Sequence, residues 1–154
     1  MALGCDLEVI EPRCNSFVAD YFTAEEQAFV ERASEADRPR LLALLWSGKE
    51  SALKALHAGL RLDTRTVSVN PGDVPSLQDN ERDKRTERPV LGFRPPSVFK
   101  LWCPLQVRCT SGRFFHGWWQ QRDNLVRTVV AAPSPHAPIP LTIPSLFGLA
   151  NPSA

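Results

Sequence analysis

Leu41-Leu42-Ala43-Leu44-Leu45-Trp46-Ser47-Gly48-Lys49-Glu50-Ser51-Ala52-Leu53-Lys54-Ala55-Leu56 is the stretch on which the fold turns. Within it Leu41, Leu44, Leu45, Gly48, Ala52, Ala55 and Leu56 recur at three- and four-residue steps, the repeat of a helix face turned to a core. Leu42, Trp46 and Leu53 widen that coverage, so the spacing predicts a central helix buried on most of its circumference, with a narrow polar strip left over. Glu50 and Lys54 are four residues apart, one above the other, and belong to that strip. Asp37-Arg38-Pro39 opens the helix, proline being acceptable in the first turn, and Gly59 is placed to close it in a left-handed cap.

Upstream, Gly4-Cys5-Asp6-Leu7-Glu8 lies in an apolar run from Ala2 to Ile10 that reads as a strand, stopped by Glu11-Pro12 because proline cannot continue a ladder. Strand alternation points Asp6 and Glu8 to one face and Cys5, Leu7 and Val9 to the other. Two hard oxygen ligands from the strand, a third from Glu50 and the cation of Lys54 suit a magnesium ion and a diphosphate. Thr23-Ala24-Glu25-Glu26 is a capping box that starts a helix running from Ala24 to about Ala33. Thr64 to Asn70 reads as a half-buried strand with Val67 and Val69 inward. Arg113–Gln120 and Leu125–Ala132 are aromatic and β-branched runs that read as a hairpin around the four-residue turn Gln121-Arg122-Asp123-Asn124. Alternation sends about half of Phe114, Phe115, Trp118 and Trp119 to the core.

The expected class is therefore α+β, a small antiparallel sheet packed on a long central helix. One domain spans residues 1–132, with 71–97, rich in turn residues and mixed charge, as a loop or insertion; the proline-rich 133–154 is an extended tail. A length of 154 residues fits one domain by the prior of ~100 to 200 residues each. A net charge of +1 gives no sign of nucleic acid as a partner. No apolar run approaches the ~18 residues that span a bilayer, and four cysteines without zinc-type spacing suit reduced thiols, so no membrane and a cytoplasmic location are expected. His57, His116 and His136 have no ligand spacing.

The ordered set Gly-x-Asp-x-Glu at Gly4–Glu8, Phe-Thr-x-x-Glu at Phe22–Glu26 and Trp-Ser-x-Lys-Glu-Ser-x-x-Lys at Trp46–Lys54 resembles the 4'-phosphopantetheinyl transferases, specifically the type that activates peptide synthetases. The resemblance runs from about Gly4 to Ala132 and implies transfer of the phosphopantetheine arm of coenzyme A to a serine of an acyl or peptidyl carrier protein, with release of adenosine 3',5'-bisphosphate. It implies magnesium held by Asp6, Glu8 and Glu50, Glu50 as catalytic base, and Lys54 on the pyrophosphate of coenzyme A. Lys49, well round the helix from Glu50, is either a second phosphate contact or a solvent lysine.

Larger members have two similar lobes, and this chain resembles the second, so it is expected either to form a homo-oligomer or to need a partner that supplies the other lobe. Where relatives often carry Gly-x-Gly-Leu after the long helix, this chain has His57-Ala58-Gly59-Leu60. Two other readings compete. A lone lobe could bind metal or carrier without turnover. A carboxylate-dependent nuclease also begins with Asp-x-Glu on a first strand, but needs further aspartates at set places, and Asp63, Asp73, Asp79, Asp83 and Asp123 fall mainly in loops.

Overall fold

The computed structural model describes residues 1–72, 74 and 102–138. Eight main elements follow one another: β1 (Ala2–Val9), α1 (Asn15–Tyr21), α2 (Ala24–Glu31), α3 (Arg38–Ala55), β2 (Val67–Asn70), β3 (Cys103–Cys109), β4 (Phe114–Arg122) and β5 (Leu125–Ala132). The strands form a single antiparallel sheet in the order β1-β5-β4-β3-β2, so the first strand lies beside the last. This is the α+β class that the helix and strand periods imply.

α3 crosses one face of the sheet. Leu44, Leu45, Ala52 and Leu53 are wholly buried there, each leucine contributing about 1.5 to 3 kcal/mol by leaving water. From the sheet side come Val67, Val107, Phe115, Trp119, Val126 and Val130, every second residue of their strands. Phe115 and Trp119 thus face α3 while Phe114 and Trp118 face away, the division that alternation implies. On the far face Leu3, Leu7, Val9 and Phe114 are exposed.

Two glycines set how closely the layers approach. A Cβ on Gly4 would stand 1.9 Å from the carbonyl oxygen of Ser51 and 2.7 Å from the amide nitrogen of Ala55, so β1 touches α3 backbone to backbone. At the other end of the crossing, a Cβ on Gly48 would meet the Val69 side chain of β2 at 2.8 Å.

Four details differ from the sequence reading, each for a local reason. α3 ends at Ala55 rather than at Gly59: His57 adopts φ 54°, the His57 amide donates to Lys54 O at 3.0 Å and the Ala58 amide to Leu53 O at 3.1 Å, which is a Schellman closure with histidine in the left-handed position. The hairpin turn is two residues, Asp123-Asn124, with Asp123 at φ 55°, because Gln121 and Arg122 still pair with Val126 and Leu125. Residues 64–66 are a 3₁₀ turn ahead of β2, started by the Asp63 carboxylate accepting the Arg65 amide at 2.9 Å. β3 and α1 are additional elements. Of the expected insertion at 71–97 and tail at 133–154, only 71, 72, 74 and 133–138 are among the described residues, and these last have no regular structure.

Gly4→Ala is expected to cost about 3 kcal/mol or more in chemical denaturation, since the added methyl meets backbone that cannot rotate away. His57→Gly should raise stability by about 1 kcal/mol in the same measurement, because a side chain in the left-handed region carries a penalty that glycine escapes.

Candidate active site at the crossing of the first strand and the central helix

From Arg40 to Ala55 of α3, Trp46, Glu50 and Lys54 are the positions that keep solvent contact in an otherwise buried run, and they are four residues apart. This is the narrow strip expected from the leucine spacing. It faces the edge strand β1, where Gly4 brings the backbones together and Asp6 and Glu8 point to the helix side.

The serines of the motif hold that crossing in register. Ser47 Oγ and Ser51 Oγ lie 2.9 and 2.7 Å from Thr128 Oγ1, and Thr128 Oγ1 also lies 2.9 Å from Ser47 O, all buried. Thr128 sits on β5 directly opposite Asp6 of β1. A hydroxyl network with every member satisfied therefore fixes α3 one strand away from the carboxylates. Sequence reasoning missed Thr128; its signal is a lone hydroxyl among the apolar inward residues Val126 and Val130.

Asp6 and Lys54 meet: Lys54 Nζ donates to Asp6 Oδ1 at 2.5 Å, with the Asp6 side chain 8% exposed and that of Lys54 49% exposed. Asp6 Oδ2 is buried and has no hydrogen-bond partner. The bond to Asp6 raises the proton affinity of Lys54, so the amine stays charged. Glu50 stands near both, with no hydrogen bond or ion pair of its own among the described residues. Burial, and then the charge of Asp6, push its carboxyl above the usual range, with Lys54 opposing. Glu8 is raised by the same two causes in the same order, while Arg13 pulls against them from 3.2 Å.

Among the described residues no three His, Cys, Asp or Glu side chains converge as a formed metal cage. The three carboxylates share a face, but Glu8 is engaged by Arg13 and Asp6 by Lys54. The donor set still fits a magnesium ion, which takes one or two carboxylates and completes its shell with phosphate oxygens and water. Asp6, with its unsatisfied Oδ2, and Glu50 are the residues that could hold it, with Glu8 beside them.

Lys49 is a correction. It is neither a phosphate contact nor a solvent lysine: its side chain is 0% exposed and pairs with Glu26 at 2.8 Å. It donates as well to Thr64 O at 2.9 Å and to Val67 O. Glu26 in turn accepts the Thr23 amide of its capping box and the Val69 amide of β2, each at 2.8 Å. One buried carboxylate so ties together α2, α3 and the sheet edge. Desolvation lowers the proton affinity of Lys49, with Glu26 restoring part of it. Asp63, a downstream aspartate that a nuclease reading would need, pairs with Arg65 at 2.8 Å on the surface.

Because a raised carboxyl favours the protonated form in the fold, its contribution to stability is full at low pH and is lost as pH rises through its folded value. Glu50→Gln should therefore increase the melting temperature by a few degrees at pH 7, and the gain should vanish on acidification below the ordinary glutamate range. Lys49→Ala should cost about 3 to 5 kcal/mol by denaturation, as expected when a buried pair loses one partner, whereas Lys54→Ala, which removes a half-exposed partner but leaves the Asp6 carboxylate without a hydrogen bond among the described residues, should cost about 1 to 3 kcal/mol.

Among curated proteins none matches the chain. No helix among the described residues is long and apolar enough to cross a membrane. A family model described as the 4'-phosphopantetheinyl transferase superfamily matches residues 2–91, which takes in β1, all three helices and the Asp6, Glu8, Glu50 and Lys54 positions. With more than half of its length so matched, the chain belongs to the 4'-phosphopantetheinyl transferase superfamily.

Proposed function

We propose that this chain transfers the 4'-phosphopantetheine arm of coenzyme A to a serine of an acyl or peptidyl carrier protein, releasing adenosine 3',5'-bisphosphate. The observation that carries the reading is the meeting of Asp6, Glu50 and Lys54 where β1 crosses α3, two acidic oxygen donors and a cation at the solvent-accessible strip of the helix. The diphosphate of coenzyme A brings one negative charge on each phosphorus, shared among the non-bridging oxygens, to such a place, and the Lys54 ammonium with room for a second cation matches that charge.

In the reaction the serine Oγ forms a bond to the phosphorus that carries the pantetheine, and the bond from that phosphorus to the bridging oxygen breaks. The electron pair leaves on the nucleotide's 5'-phosphate. The serine proton passes to Glu50, directly or through a water. Burial and the neighbouring Asp6 raise the proton affinity of Glu50 in the metal-free protein; a cation bound to it would lower that affinity, which favours the route through a water. Lys54, half exposed and permanently charged, steadies the diphosphate as charge collects on the leaving group. Magnesium bound by Asp6 and Glu50 would supply further neutralisation of those oxygens. Ser47, Ser51 and Thr128 keep the helix in register with Asp6, and Lys49 with Glu26 keeps the helix seated.

The test is the mass of a carrier protein. With coenzyme A and magnesium, an apo carrier should gain one phosphopantetheine by mass spectrometry, and Glu50→Gln should slow that gain by about 100-fold or more. Lys54→Ala should act chiefly by raising the coenzyme A concentration needed. No added arm on any of several carriers would leave family and fold standing and remove the transfer.

A further inference from the structure

We infer that Lys54 and a divalent cation compete for Asp6, so that Lys54 serves as the built-in counter-ion of the metal site and is released toward the diphosphate only when the cation takes its place. The inference rests on the metal reading above and assigns a regulatory part to a residue of the same site. Three observations support it. Lys54 Nζ is bonded to Asp6 Oδ1, one of the oxygens a cation would need. Asp6 is more than nine-tenths buried, and its other oxygen, Oδ2, has no partner, so the side chain offers an ion its unsatisfied oxygen only next to the one that Lys54 holds. Lys54 itself is 49% exposed at the end of a flexible four-carbon stem, in the last turn of α3, and can leave without disturbing the core.

The consequence is thermodynamic coupling. A cation that displaces the ammonium frees a positive charge for the substrate's diphosphate, and a diphosphate that draws Lys54 away clears Asp6 for the cation. Each ligand then strengthens the other by the same factor. Arg13 stands in a similar relation to Glu8, at 3.2 Å, but it also pairs with Glu11 and its release would break both contacts.

Manganese binding by the full chain, followed by electron paramagnetic resonance and by calorimetry, tests the idea with no turnover involved. Lys54→Met should bind manganese about 5- to 20-fold more tightly than the wild type, at the low end of the usual coupling between two sites, while Lys54→Arg, which keeps the cation, should stay near the wild-type value. Coenzyme A should tighten manganese binding in the wild type and do so much less in Lys54→Met. Equal or weaker manganese binding in Lys54→Met, with the wild type binding normally, would overturn the competition and leave the metal site intact. Absence of binding in both proteins would overturn the metal reading, and the competition with it.

Discussion

The absence of a side chain at residue 4 is the constraint on which the site depends. Sheet and helix layers ordinarily stand off by the thickness of their side chains, and a side chain at residue 4 would hold β1 and α3 apart and draw Asp6 away from Lys54 and Glu50. Here the Gly4 backbone lies against Ser51 and Ala55, so the next inward residue of the strand, Asp6, arrives beside Glu50 and Lys54, the residues that precede those two in the helix. The edge position of β1 adds the second requirement, since an interior strand would have buried the same groups without access for a substrate. Fold and chemistry share this one contact.

Two lysines five residues apart in α3 show how strictly helical phase divides structure from function. Lys54 falls on the strip with Glu50 and Trp46; Lys49 falls on the opposite flank and is enclosed with Glu26 and two backbone carbonyls. Trp46 continues the strip into an aromatic group, with ring centres 5.1 Å from Phe17 and 5.3 Å from Tyr21, which covers the end of the helix surface not used by charge. The buried ionic pair keeps the helix from rotating about its own axis, and the paired hydroxyls of Ser51 and Thr128 keep it from sliding. A carboxylate cluster that is partly desolvated and also repels itself, the first and second causes that raise Glu8 and Glu50, is tolerable because these other contacts hold the framework.

Much of this was legible from the chain. The leucine spacing of α3, the capping box at Thr23, the alternation of β1 and the aromatic alternation of β4 each report a strong physical preference, and each element is where its pattern implies. What escaped reading did so for definable reasons. α1 is only seven residues long and buries none of them, so it offers no periodic face to detect. β3 alternates properly, with Leu105, Val107 and Cys109 inward, but Pro104 disguises it; the proline is tolerated because β2 pairs only as far as Gln106, leaving that side of Pro104 without a ladder to serve. The helix end was read from glycine, and a histidine took the left-handed place two residues earlier. Burial of Lys49 depends on Glu26, twenty-three positions away, and such a pairing lies beyond any local window.

The central claim is that β1 and α3 present Asp6 and Glu50 to one common ion. Crystals grown with manganese and coenzyme A, measured for anomalous scattering at the manganese edge, test it most directly. The account predicts a single anomalous peak in contact with carboxylate oxygens of both Asp6 and Glu50, next to the diphosphate. A peak touching only one of them, or lying elsewhere on the protein, would contradict it.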